Sequence, residues 1–152
     1  MTPIHTSYAD ADTIEFPGAI TFKVLLSGQK TNGNHAVFED IVEPGVGPGR
    51  HIHHNQDETF LFEEGDFVVE IDGVRHHMQP GDVGFVPRGS VHAFKNVGNT
   101  VGRLRYVMTP AGSFEDMVRT LHKAADGGQP SMDEMARIAR EHGQEFVGPP
   151  LD

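Results

Sequence analysis

Two histidines on alternate positions, a glutamate a few residues later and one distant histidine are the side chains best placed to do chemistry here. His51, His53 and Glu58 lie within residues 45–65 (GVGPGRHIHHNQDETFLFEEG), and His92 lies within residues 81–96 (GDVGFVPRGSVHAFKN). In an extended strand, residues two apart point the same way, so His51 and His53 offer two imidazoles to one side. Glu58 shares no simple parity with them, but the polar run His54, Asn55, Gln56, Asp57 can bend the chain and return it. Imidazole with carboxylate suits first-row divalent ions rather than thiophilic ones. Three imidazoles and one carboxylate fill at most four positions of an octahedral ion, and open positions distinguish a catalytic metal from a structural one. A lone histidine is more often surface or core decoration. Four such residues set in a frame of glycine and proline point instead to a metal site.

The elements that position these residues are short. Gly 18 and Pro 10 are high and hydrophobic residues make up only 37%, which favours many strands joined by tight turns over a helical bundle. Residues 20–26 read as a strand. Residues 35–43 alternate, with Ala36, Phe38 and Val42 on one face and Asp40 the exception. Strand-like runs follow at 58–62, 66–72, 83–86, 91–96 and 101–108. Asp72-Gly73 is a hairpin signal, and Phe67, Val69 and Ile71 share a face. Residues 83–86 read as a buried strand ending at Pro87. This spacing predicts a mainly β fold, a small antiparallel barrel or jelly roll over about 16–110.

Texture then changes. Phe114, Met117, Val118 and Leu121 follow helical spacing behind Ser113 as N-cap, and Gly127-Gly128 stops that helix. Ser131 and Glu134 predict a capping box for a second helix carrying Met135, Ile138, Ala139 and His142, with Gly143 at its end. The expectation is a C-terminal helical pair over about 113–143, packed on the β body near a pocket mouth. Residues 1 to about 15 read as poorly ordered, or as an arm that pairs with a neighbouring subunit. The whole chain, 1–152, reads as a single domain.

Composition narrows the function. A formal charge of −10 argues against nucleic acid or an anionic membrane as partner. The absence of cysteine excludes disulfides and thiolate catalysis. The first ten residues lack the basic start and apolar run of a signal peptide, and no window is long and apolar enough to span a membrane, so a cytoplasmic protein is expected.

Both histidine segments resemble the two motifs of the cupin superfamily at every signature position. Gly45, His51, His53, Glu58 and Gly65 match the first, and Gly81, Pro87, Gly89, His92 and Asn96 the second. The resemblance implies that His51, His53, Glu58 and His92 bind one divalent first-row ion: iron, manganese, nickel, cobalt or zinc. The flanking 47–54 run, Asp57 to Phe60, residues 109–115 and the tail around Glu145 and Phe146 are similar to single-domain quercetin dioxygenase-like cupins. That narrower likeness implies a dioxygenase acting on a small aromatic or enolic substrate, with Glu58 as ligand and proton acceptor. The superfamily also holds decarboxylases, isomerases, epimerases and sensors, so an oxygen-independent enzyme or a small-molecule-binding module are the alternatives. A homodimer is expected from the same resemblance and from edge strands that need covering.

Other residues read as less involved. His54 points away from His51 and His53 if the strand continues, and His76 and His77 beside the hairpin read as exposed. Arg50 and Arg88 read as loop charges, and Arg103 and Arg105 as an outer strand face. Phe60, Phe62, Phe85 and Phe94 are candidates either for pocket wall or for core.

Overall fold

The computed structural model describes residues 2–152; Met1, the first residue of the expected arm, lies outside the described residues. Eleven strands run in chain order: β1 Asp12–Glu15, β2 Ile20–Leu26, β3 Ala36–Val42, β4 His51–His53, β5 Asp57–Glu64, β6 Phe67–Ile71, β7 Val74–Met78, β8 Val83–Val86, β9 His92–Asn96, β10 Gly102–Thr109 and, after the helices, β11 Gln144–Phe146. Helices α1 (Phe114–Ala125) and α2 (Met132–Glu141) stand between β10 and β11. The strands form two sheets, ordered β1-β2-β3-β10-β5-β8 and β11-β4-β9-β6-β7. All pairings are antiparallel. Among the described residues no ladder joins the sheets, so the body is an open jelly-roll-like sandwich rather than a closed barrel.

Period-two patterning explains why the sheets face each other. In β10, Gly102, Leu104, Tyr106 and Met108 are buried while Arg103, Arg105 and Val107 are only half-buried. In β5, Glu58, Phe60 and Phe62 turn inward, and in β6 Phe67 and Val69 do so. The inward aromatics pack edge to face or stacked; Phe38 and Tyr106 stack with centroids 5.4 Å apart, and Phe114 of α1 meets both. Each such buried ring stabilises the fold by roughly 1.5–3 kcal/mol relative to exposure. The outer face of β10 is ionic: Arg105 Nε donates to Glu39 Oε2 at 2.9 Å and Arg103 Nε to Glu64 Oε2 at 2.8 Å.

Turn chemistry sets the registers. Asp72 and Gly73 both have positive φ (48° and 83°), and Ile71 pairs with Val74 across them. This two-residue turn twists with the strands it joins. The Ser131–Glu134 capping box forms as its spacing predicts, with the Glu134 amide donating to Ser131 Oγ at 3.2 Å.

Three expectations are corrected, and two further strands appear for which the pattern gave no range. Residues 12–15 form β1 and pair with β2 of the same chain, so that part of the arm is a sheet edge. Residues 83–86 form a strand at the sheet edge, not a buried one, and Val83 and Phe85 are 60% and 58% exposed. Residues 74–78 form β7, a mostly exposed strand whose polarity hid it from a hydrophobic pattern. Ser113 precedes α1 without a side-chain cap, its backbone lying outside the extended region usual for an N-cap, and its hydroxyl donates to the His142 carbonyl at 2.9 Å. Residues 144–146 form β11 and join the second sheet beside β4.

Candidate metal centre

Four donor side chains converge where the two sheets face. His51 and His53 project together from β4, as their spacing requires. His92 begins β9, and its Cα pairs with that of His51 in the antiparallel ladder. Glu58 comes from β5 in the opposite sheet. Residues 54–56 carry the chain between sheets; the bend expected of His54, Asn55, Gln56 and Asp57 is made by the first three, and Asp57 already begins β5. One donor atom from each of the four lies within 4.8 Å of the others. The imidazoles form a triangle, with centroids 4.2 Å apart for His51–His92 and 4.9 Å for each of the other two pairs. His53, Glu58 and His92 are buried and His51 is half-buried.

Each imidazole is oriented through its Nδ1. His51 Nδ1 donates to the Gly49 carbonyl at 2.7 Å and His92 Nδ1 to the Ser90 carbonyl at 3.1 Å. His53 Nδ1 donates to Gln144 Oε1. These partners are acceptors only, so Nδ1 must carry the proton. The Nε2 lone pairs of the neutral rings are then left for the cluster. His53 Nε2 and His92 Nε2 stand 3.0 and 2.9 Å from the same Glu58 oxygen, Oε2. Lone pairs facing a carboxylate at that range require positive charge between them, supplied by a proton or a metal ion.

The local electrostatics agree. Burial, followed by the neighbouring His92 and His53, holds His51 well below the usual imidazole range, so it is neutral at pH 7. Burial also disfavours the His53 imidazolium, but the Glu58 carboxylate outweighs it and raises the group. For Glu58, burial opposes ionisation while His53 and His92 overcome it and hold the carboxyl far below its ordinary range. The cluster is built for one anion and one compensating cation, and the donor set fits a single first-row divalent ion.

A cavity of about 260 Å³ adjoins the cluster. His51, His53 and Glu58 border it, with Phe114, Met117, Val118 and Leu121 of α1 and Phe94, Phe22 and Phe146 forming apolar walls. The helical pair therefore walls the pocket. Of the four phenylalanines proposed for wall or core, Phe94 lines the cavity, Phe60 and Phe62 are core, and Phe85 faces solvent. His54 points away and contacts Glu145 at 2.8 Å, while His76 and His77 lie on exposed β7. Arg50 and Arg88 are engaged by Glu70 and Asp57.

Two residues that support the site carried no signal in the sequence. Gln144 Nε2 donates to Gln56 Oε1 and to the His142 carbonyl, both at 3.1 Å, which turns its oxygen toward His53. Gln56 Nε2 donates in turn to the Ala111 carbonyl at 3.2 Å. Gly112 makes room, since a Cβ there would lie 1.7 Å from Gln56 Nε2. Isolated glutamines have no motif, and only the pairing of β11 with β4 brings Gln144 to His53.

Residues 38–109 match the family described as Cupin domain, a stretch holding all four converging residues. That stretch is a cupin domain. The chain is 29% identical to Protein SchB of Streptomyces halstedii over 77 residues, 51% of its own length and 56% of that protein. It is 28% identical to quercetin 2,3-dioxygenase of Bacillus subtilis (strain 168) over 105 residues, 69% of its own chain and 31% of the relative. It spans less than two thirds of the length of either. KdgF from Halomonas sp. has the same fold, with a TM-score of 0.65 at 17% identity over 72% of this chain and 94% of that one. Gln144 lies outside the segment matched to the family.

Proposed function

We propose that this cupin is a metal-dependent dioxygenase for a small aromatic or enolic substrate. His51, His53, Glu58 and His92 would hold the ion, and Glu58 would accept the substrate's proton. The observation that carries this reading is the opening of a three-histidine, one-glutamate cluster into a cavity with aromatic and aliphatic walls. A bound first-row ion would supply Lewis acidity and, if redox-active, a path for electrons between substrate and dioxygen. The partial match to a quercetin dioxygenase supports the oxygen-dependent version of the chemistry.

The chain's own residues suit that role. The apolar walls exclude water and favour a flat, uncharged ring system. At about 260 Å³ the cavity lies near the lower end of ligand pockets, which favours a small molecule. Glu58 Oε2 is engaged by His53 and His92, whereas Oε1 accepts no hydrogen bond among the described residues and is not sealed from open space. That oxygen is free to take a proton. Because its carboxyl is held ionised and only weakly basic, Glu58 suits an acidic hydroxyl, as in an enol or phenol, rather than a carbon acid.

The test is oxygen consumption by metal-loaded protein given quercetin as probe. Oxygen uptake that follows quercetin loss, and that falls far more than metal content in Glu58→Gln, is the expected result. Turnover of a carbonyl or carboxylate substrate at full rate without oxygen would give the site to an isomerase or decarboxylase. Binding without turnover of any kind would make the protein a small-molecule-binding module.

A further inference from the structure

The cavity has a second polar group that the metal cluster does not use. Asp40 is mid-strand in β3, where Ala36, Phe38 and Val42 share its inward face, and it is only 2% exposed. Its Cα partners are Phe22 of β2 and Leu104 of β10. The Tyr106 hydroxyl donates to Asp40 Oδ1 at 2.9 Å. Oδ2 accepts no hydrogen bond among the described residues, yet no unpartnered side-chain oxygen or nitrogen there is sealed from open space. Asp40 lines the cavity, and Oδ2 is its polar side-chain atom left unpaired there. A partner for the Tyr106 hydroxyl explains Oδ1 and leaves Oδ2 without a role. An unpaired carboxyl oxygen among phenylalanines is costly unless something meets it.

We propose that Asp40, oriented by Tyr106, is a second substrate-contacting group, donating a hydrogen bond from Oδ2 to an oxygen of the molecule held in the cavity. This rests on the reading of the cavity as a site for a small aromatic or enolic molecule. Burial drives the Asp40 carboxyl well above the usual range; the Tyr106 hydroxyl offsets this only in part, and Glu58 and Glu39 reinforce it. Those are the ionisable neighbours: Tyr106 from β10, Glu58 from β5 and Glu39 on its own strand. Phe22 of β2 and Phe114, Met117 and Val118 of α1 add only apolar surface to the cavity. Because Oδ1 accepts from Tyr106, the acid proton belongs on Oδ2. The two groups then divide the work: Glu58 takes a proton from an acidic hydroxyl, and Asp40 donates to a carbonyl or hydroxyl elsewhere on the same ligand. Ligands with a second oxygen would be selected over plain hydrocarbons bearing one.

The experiment measures quercetin affinity of zinc-loaded protein under nitrogen, so that turnover does not interfere. Asp40→Leu should weaken binding about tenfold, the usual effect of removing one buried hydrogen bond. Asp40→Asn keeps a donor at the same place and should bind close to wild type at pH values where the acid is protonated. As pH rises through the raised Asp40 value, wild-type affinity should fall more than that of Asp40→Asn, because only the acid loses its proton. Wild-type affinity in Asp40→Leu, or matching pH profiles of wild type and Asp40→Asn, would overturn the inference alone. If Asp40→Leu does not fold, the pH comparison decides. Failure of quercetin to bind the wild-type protein would overturn both this inference and the aromatic-substrate reading.

Discussion

Gln144 accepts the Nδ1 proton of His53 across 91 positions of sequence. The strand that follows the helical pair is therefore part of the site, and it fixes which nitrogen of His53 is free for the cluster. The amide is itself fixed, since both of its donors are used by Gln56 and the His142 carbonyl.

Gln144→Leu should leave the fold intact and weaken metal affinity by roughly 10- to 100-fold, the usual cost of losing a group that orients a ligand. Competition with a coloured chelator measures it. Unchanged affinity would mean that His53 is oriented by packing alone.

The core and the edge should respond very differently to the same change. Phe60 is 1% exposed and touches Phe62, Phe94 and Tyr106, so Phe60→Ala should cost about 3–5 kcal/mol in urea unfolding. Phe85 is 58% exposed, and Phe85→Ala should stay within about 0.5 kcal/mol. Equal losses would contradict the placement of β8 at the edge.

Stability should carry the mark of Asp40. Its folded value lies above the ordinary 3.8, so the native state holds its proton more tightly than the unfolded chain. The contribution is complete below about pH 4 and declines as pH rises through the folded value. Asp40→Asn removes that decline, so the variant should gain on wild type as pH rises from about 4 toward the raised Asp40 value. A difference independent of pH, followed by urea titration at several pH values, would show that Asp40 ionises as an ordinary aspartate.

Assembly is best tested at β8. It is a sheet edge with unpaired backbone on one side, and the apolar side chains of Val83, Phe85 and Leu61 lie exposed along it. We propose that a second copy covers this edge as a homodimer. Light scattering should give a dimer mass that falls to the monomer in Val83→Lys/Phe85→Lys. A monomer mass for the unaltered protein at high concentration would refute it.

The sequence was most legible where one residue's local chemistry decides its placement. The His51–His53 alternation, the Asp72-Gly73 turn and the Ser131–Glu134 box depend on a few neighbours and formed as their spacing predicts. The four converging residues were legible because their motif spacing is local even though the contact is not. Misreadings came where tertiary pairing overrode pattern. Val83 and Phe85 looked buried because they are apolar, but β8 has a neighbour on only one side. Asp40 broke an apolar face and proved to be inside it, tied to Tyr106. Gln144 and Gln56 were illegible because a glutamine's role is set by what it meets, and here that comes from strands far apart in sequence.

Metal content tests the central claim most directly. Protein purified without added metal and analysed for elements should carry about one first-row divalent ion per chain, as its imidazole and carboxylate donors dictate. The double variant His53→Ala/His92→Ala should lose nearly all of it and, with it, the metal-dependent part of its thermal stability. Full retention of the ion by a folded double variant would contradict the assignment of His51, His53, Glu58 and His92 as the metal centre.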